Sequence, residues 1–322
     1  MIGAAVYLPL VLPVIVAMAA RPVAVRLAPG LATWLLTASS VVLAAATGAA
    51  LGVLVIAGAL HVPRVAALGH VSLQALRGGD LAGSVPVAVV AGLTLLAAAA
   101  AALRAAWRRA RALVAAGQAA ACLPAGPLAV IDDETADAFA VPGLTGRQGR
   151  VVVSTGMLAV LDQAQRRALV AHERAHLAGR HHLFLAAAHL AAAANPLLRP
   201  AERAVAYTVE RWADERAAEV TGDRKMTALA VGNAALAKAR RPPSKAGTAH
   251  VSSAALAHAG PVPRRVAALL DPRPGLWRRR IVLAAAVAAI AVISVAAVGE
   301  AAAYLHHVVE TAQAASGHGA PR

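Results

Sequence analysis

Residues 171–176 read Ala-His-Glu-Arg-Ala-His, and 34 residues past His176 the chain reads Val209-Glu210-Arg211-Trp212-Ala213-Asp214. Histidines at i and i+4 lie on one face of a helix, about 40° apart around its axis, so their ring nitrogens can converge on one metal ion. Glu173 sits beside that face, where it can take a proton from a water and return it to a leaving amine. With 12 His and 8 Glu in 322 residues, this spacing arises by chance about 0.01 times per chain. Glu210 and Asp214 are again i and i+4 and point the same way. One can bind an ion while the other accepts a hydrogen bond from the far nitrogen of a ligand histidine. The competing reading is a solvated acidic face shared with Arg211 and Glu215.

Outward from the motif, the chain reads as helical from Asp162 to Asn195-Pro196, where proline breaks it. Pro200 opens a second helix through about Thr221, which a hairpin lays against the first. Lys225–Arg240 is a third helix, Arg241-Pro242-Pro243-Ser244 a linker, and Pro261–Leu270 a short helix. Upstream, Arg104–Ala121 is helical. Leu128–Ile131, Ala138–Val141 and Arg150–Ser154 are short β-type runs, split by Asp132-Asp133-Glu134 and by Pro142-Gly143, with Gly146 and Gly149 in the second turn. They predict a small antiparallel sheet. Leu183–Leu198 is apolar but only 16 residues long and contains His189 and Pro196. It reads as a buried core helix or a shallow membrane-dipping segment.

The composition places this unit in a membrane. The chain is 59% hydrophobic and 15% charged, well below the roughly 25% charged residues of soluble proteins; it is also too apolar for disorder. Ile2–Ala20, Leu31–Leu60, Ala82–Leu103 and Ile281–Gly299 each supply the roughly 20 apolar residues of a spanning helix. No Lys or Arg precedes the first run, so it reads as an uncleaved anchor rather than a signal peptide. Arg21 and Arg26 follow the first span, Arg104, Arg108, Arg109 and Arg111 follow the third, and Arg278, Arg279 and Arg280 precede the fourth. The loop with Arg64, Arg77 and Asp80 is poorer in positive charge. This asymmetry puts the amino terminus outside, residues 104–280 in the cytoplasm and residues 300–322 in a short external tail. Trp34, Trp107 and Trp277 then fall at the inner interface. Residues 104–280 hold 26 of the 31 basic and 13 of the 16 acidic residues, which suits a domain pressed against an anionic inner leaflet. With 3% aromatics and no stacking pattern, nucleic acid is not an expected partner. A single cysteine, Cys122, excludes a disulfide framework.

The string from Val151 to Asp214 resembles the membrane gluzincin metallopeptidases of families M48 and M56. These include HtpX-like quality-control proteases, CAAX prenyl proteases and BlaR/MecR-type β-lactam-sensing receptors. The matching features are Val-Val-Val-Ser before Gly-Met-Leu (Val151–Leu158), the His172-Glu173-x-x-His176 motif, Asn195-Pro196-Leu197, and Glu210-x-x-Ala213-Asp214. The resemblance covers about a third of the chain. It implies a zincin-type helical catalytic domain in which His172, His176 and Glu210 bind zinc, Glu173 is the general base and Asp214 supports the site. It also implies that the strand near Val151–Ser154 is the edge on which substrate backbone adds.

Two features depart from these relatives. Where sensor-type members often carry Asp after the arginine, Arg180 is followed by His181 and His182, read as a polar helix face without a metal role. No serine has lysine three residues later, so a penicillin-binding sensor is absent. Cys122 reads as a helix-end filler, and His306, His307 and His318 as solvated tail residues. Tyr207, Arg180 and Arg211 are candidates to stabilise an oxyanion. The expectation is a mainly α, multi-span membrane protein acting as a zinc endopeptidase on protein or peptide substrates. The alternatives are a membrane signal transducer that cleaves a cytosolic repressor, and a scaffold without activity, against which the complete ligand set argues.

Overall fold

A computed structural model describes residues 2–68, 85–123, 126–143, 148–240, 262–271 and 277–317. Arg77, Asp80, the first residues of the expected third span (82–84), Gly146, the linker at 241–244 and His318 lie outside the described residues, as do the side chains of residues 277–280. After a 3₁₀ turn at Ile2–Tyr7 come α1 (Leu8–Arg26), α2 (Pro29–Ala59), α3 (Pro63–Leu68) and α4 (Val85–Ala121). Three strands follow: β1 (Leu128–Ile131), β2 (Ala138–Val141) and β3 (Arg150–Ser154). The remainder is helical: α5 (Thr155–Val160), α6 (Gln163–Ala178), α7 (His181–Ala194), α8 (Arg199–Thr221), α9 (Arg224–Ala239), α10 (Val262–Leu270) and α11 (Trp277–Gly317).

Among the described residues, four helices are long and apolar enough to cross a membrane: Ala5–Arg26, Pro29–Ala59, Val85–Ala121 and Ile281–Ala314. Each overlaps one of the expected apolar runs. α4 continues through its arginines to Ala121, as the helical reading of Arg104–Ala121 anticipates, while α11 continues to Gly317. Most of the segment read as a tail therefore prolongs the last helix. Residues 300–314 contain no proline to stop it, and His306 Nε2 lies 3.2 Å from Glu310 Oε1 one turn on.

Caps explain the helix starts in the remaining part. Ser154, Asp162 and Asp223 accept from the backbone N–H of Met157, Gln165 and Met226 at 3.1, 2.8 and 2.9 Å, each satisfying a donor that the first turn leaves free. Gly222 closes α8 in the left-handed region (φ 69°).

The three β-type runs form one sheet, ordered β1-β3-β2, but it is mixed and not antiparallel: β3 pairs parallel with β1 and antiparallel with β2. Val151, Val152 and Val153 are essentially inaccessible. A strand apolar on both faces takes the middle of a sheet, so β3 inserts between the two strands that precede it. The expected substrate edge near Val151–Ser154 is therefore the sheet's centre, and β2 is the outer strand on that side.

The segment Leu183–Leu198 is a core element. Phe184, Ala188, Ala191 and Ala192 of α7 share one apolar cluster with Leu198, Val205 and Val209, with Leu27 at the end of α1, and with Leu36 and Leu43 of α2. Asn195 at the α7–α8 bend donates to Thr47 Oγ1 (3.1 Å), which donates to Pro9 O (2.9 Å). The hairpin tip thus reaches the middle of α2 before the chain turns back. Thr33 of α2 donates to Thr208 of α8 at 2.9 Å.

Gly156 marks where β3 runs into α5. Its N–H donates to Asp133 O at 2.8 Å, and an added Cβ would collide with the Glu134 backbone. Gly156→Ala is expected to destabilise the protein by about 1–3 kcal/mol through overpacking. Gly232→Ala in α9, where a Cβ meets nothing within 4 Å, is expected to gain about 0.5–1 kcal/mol. Thermal unfolding of detergent-purified protein measures both, and equal effects would contradict this packing.

Candidate metal centre

α6 carries its chemistry on a face turned inward: His172 and Glu173 are both 8% exposed and His176 is half-buried. Facing it is α8, where Val205, Val209, Ala213 and Ala217 are fully inaccessible. These small and branched residues let α8 lie close against its neighbours, and that approach brings Glu210 and Asp214 to α6. His172 Nε2 and His176 Nε2 are 3.2 Å apart. Glu210 reaches in with Oε2 3.8 Å from the first ring and Oε1 3.6 Å from the second. The three residues each offer a ligand atom, all within 4.8 Å of one another. Two ligands at about 2.0–2.1 Å in a tetrahedron stand roughly 3.4 Å apart, so this donor set fits a small divalent ion.

Both ligand imidazoles are backed from behind. His172 Nδ1 is 3.0 Å from Asp214 Oδ1, and His176 Nδ1 is 3.0 Å from His181 Nδ1. Each contact turns the Nε2 atom toward the shared point. His181 therefore does not lie on a polar helix face. It is 1% exposed and stacks on Trp212, with ring centroids 4.8 Å apart. The cause is local. Arg180 adopts the left-handed region (φ 48°, ψ 40°), which reverses the chain after α6 and folds His181 back beneath His176. A Cβ at Gly179 would meet the His181 ring, so only glycine fits before this turn.

A cation closes the other side. Arg265 of α10, itself buried, donates through Nε to Asp214 Oδ2 (2.8 Å) and through Nη2 to Asp214 Oδ1 (2.7 Å). Its Nη1 lies 2.8 Å from Glu210 Oε2. Burial alone would push the Asp214 carboxyl up, but Arg265 and His172 hold it well below the usual carboxylate range. Burial disfavours a charged His172, yet Asp214 outweighs it and raises that pKa. Burial pushes His176 well down, with His172 and Arg265 adding to the effect, so its lone pair is free to bind an ion. Burial also pushes the Glu173 carboxyl up, partly offset by His172 and Lys238.

The centre opens into a cleft of about 310 Å³. Its opposite wall is β2, with Ala138, Phe139 and Ala140, and its rim carries Lys238 and Arg109. Asp137 O accepts from Ser154 N, so by alternation Ala138 and Ala140 turn their backbone groups away from β3. Lys238 Nζ donates to Ala138 O at 3.0 Å.

The structure thus brings together His172, Glu173, His176, Glu210 and Asp214. It does not bring in the oxyanion candidates. Arg211 donates to Ala24 O at 2.7 Å and lies over the Tyr207 ring, on the side facing α1. Tyr207 and Arg180 do not line the cleft. Cys122 is exposed. Arg265 was legible in one respect: with Val262, Val266 and Leu269 it falls on the apolar stripe of α10, where a cation needs a buried partner.

Comparison with known proteins agrees with this geometry over part of its length. The model of peptidase family M48 matches residues 102–195, from α4 through α6 and α7 to the bend before Glu210. Neither curated proteins nor solved structures give a match to the chain. The matched stretch contains His172, Glu173 and His176, whereas Glu210, Asp214 and Arg265 enter on geometry alone. Residues 102–195 of this mainly helical chain are thus similar to peptidase family M48.

Proposed function

We propose that this protein is a multi-pass membrane zinc endopeptidase that cleaves extended segments of protein substrates at a cytoplasmic cleft, close to an anionic inner leaflet. The observation that carries the reading is the convergence of His172 Nε2, His176 Nε2 and the Glu210 carboxylate beside buried Glu173. Two imidazoles and one carboxylate are a hydrolytic zinc set that leaves a fourth position for water.

Zinc bound there supplies a Lewis acid that makes water acidic near neutral pH and polarises a carbonyl. The remaining work belongs to side chains. Asp214 and His181 hold the two ligand rings by their Nδ1 atoms. A carboxylate oxygen of Glu173 takes a proton from the attacking water and gives it to the nitrogen of the departing amine. The substrate backbone lies along β2, where Ala140 turns its N–H and C=O outward, a pairing that gives affinity without demanding a sequence. The arginine distribution supports the cytoplasmic placement. The shared core of α7, α8 and the spans supports action on segments that emerge near the bilayer.

Glu173→Gln is expected to keep full zinc content while cleavage of an unfolded protein substrate falls about 10²–10⁴-fold. Metal analysis and a gel-based cleavage assay on the purified membrane protein test this, and undiminished cleavage would overturn the role of Glu173. Stripping the metal with a chelator is expected to abolish cleavage and added zinc to restore it. Glu210→Gln is expected to lose most of its zinc on dialysis against metal-free buffer, where wild type retains it. Activity that survives metal removal refutes the hydrolytic assignment as a whole.

A further inference from the structure

α10 carries an arginine that touches both α8 carboxylates of the centre. We infer that Arg265 is a positioning residue that fixes Glu210 as a one-oxygen metal ligand and locks Asp214 behind His172, which makes α10 part of the metal centre. The inference rests on the metal-binding reading of that site.

The geometry uses the guanidinium as a rigid fork. Nε and Nη2 take the two oxygens of Asp214 in parallel, and Nη1 is left to hold Glu210 Oε2. With Oε2 held, Oε1 is the oxygen presented near His176 Nε2. A lysine ammonium is a point charge and cannot reproduce two parallel bonds and a third at a fixed angle. Charge points the same way. Glu173, Glu210 and Asp214 bring three negative charges into a space lined by buried groups. Arg265 and one divalent ion together neutralise them, whereas the ion alone leaves an uncompensated buried charge, which is costly.

α10 is independently held in register with α8. Arg224 donates to Leu269 O at 2.9 Å and to Ala268 O at 3.4 Å, while pairing with both oxygens of Glu215 at 2.6 and 2.9 Å. Leu269 packs with Ala218 and Ala228. This second clamp joins the same two helices without touching the centre, so it serves as the structural control.

The test uses the full-length protein in detergent, with zinc affinity read by competition against a chromogenic chelator and the absorption spectrum of the cobalt-substituted protein read in parallel. Arg265→Gln is expected to weaken zinc binding about 10–100-fold and to change the cobalt spectrum. Arg265→Lys is expected to recover only part of the affinity. Arg224→Gln is expected to lower the unfolding temperature while leaving zinc affinity within about twofold of wild type. Because Arg265→Gln strands a buried carboxylate, the pair Asp214→Asn and Asp214→Asn/Arg265→Gln repeats the comparison without that penalty. The double variant is expected to bind zinc about tenfold more weakly than the single one. Equal affinities in that pair, or a wild-type affinity and cobalt spectrum in Arg265→Gln, would overturn the inference. A wild-type protein whose zinc binding is unchanged by His172→Ala would instead overturn the metal-site reading itself.

Discussion

The contact between α6 and α8 is the constraint on which the rest of this structure depends. Each helix presents two polar groups one turn apart, and the two pairs meet across a partly buried interface. Burying two imidazoles and two carboxylates is unfavourable unless each finds a partner. Here Asp214 takes His172 and Arg265, Glu210 takes Arg265, and His176 takes His181. The arrangement is tight because α8 is lined with Val205, Val209, Ala213 and Ala217, all inaccessible. A larger residue at any of these positions would move Glu210 by a fraction of an ångström or more, and a shared ligand point tolerates little such displacement.

That interface is not a property of a detached catalytic domain. α8 and α7 pack into the same apolar cluster as α1 and α2. Trp34 of α2 sits edge-on to Phe184 of α7 with centroids 4.7 Å apart, and a Cβ at Gly30 would lie 3.2 Å from Trp212, the ring that supports His181. The lower part of α2 is thus the floor beneath the metal centre. A folding unit normally carries its own core, but here the core is shared between membrane helices and chemistry. The hydrogen bonds from Asn195 and Thr47 fix the position of the α7–α8 bend against α1 and α2.

Much of this was legible in residue spacing, and the exceptions have identifiable causes. His172 with His176 and Glu210 with Asp214 declare themselves because a helix turns every i+4 pair onto one face, and the spans declare themselves by length alone. The place of β3 was hidden because short apolar runs carry no information on strand order; only its burial on both faces puts it in the centre. His181 was misread because the helical period was carried through Arg180, whose left-handed backbone breaks it. Arg265 lies 51 residues from Asp214, beyond any local periodicity. The last helix, α11, outran its apolar stretch because helix length follows backbone compatibility, whereas the span estimate follows hydropathy.

The sign of the local charge needs its own account, since the chain carries a formal +15 and yet gathers an acidic ligand set. Exposed cations separated from the centre by more than about 8–10 Å are screened by salt, whereas groups in contact inside a buried cleft are screened far less. The surface arginines therefore add little to the field inside the cleft, where the few groups in contact set the local charge. Within the cleft the cations are not scattered. Arg265 is committed to Glu210 and Asp214, Lys238 lies 3.2 Å from Asp137 and holds the Ala138 carbonyl, and Arg109 donates to the His182 carbonyl at 3.2 Å. Each positive charge is tied to an acceptor on the wall, so Glu173 and the Nε2 atoms of the two histidines are left facing the open space. A basic protein can hold a cation-binding centre on these terms because its inner cations are occupied in holding that centre's walls and carboxylates.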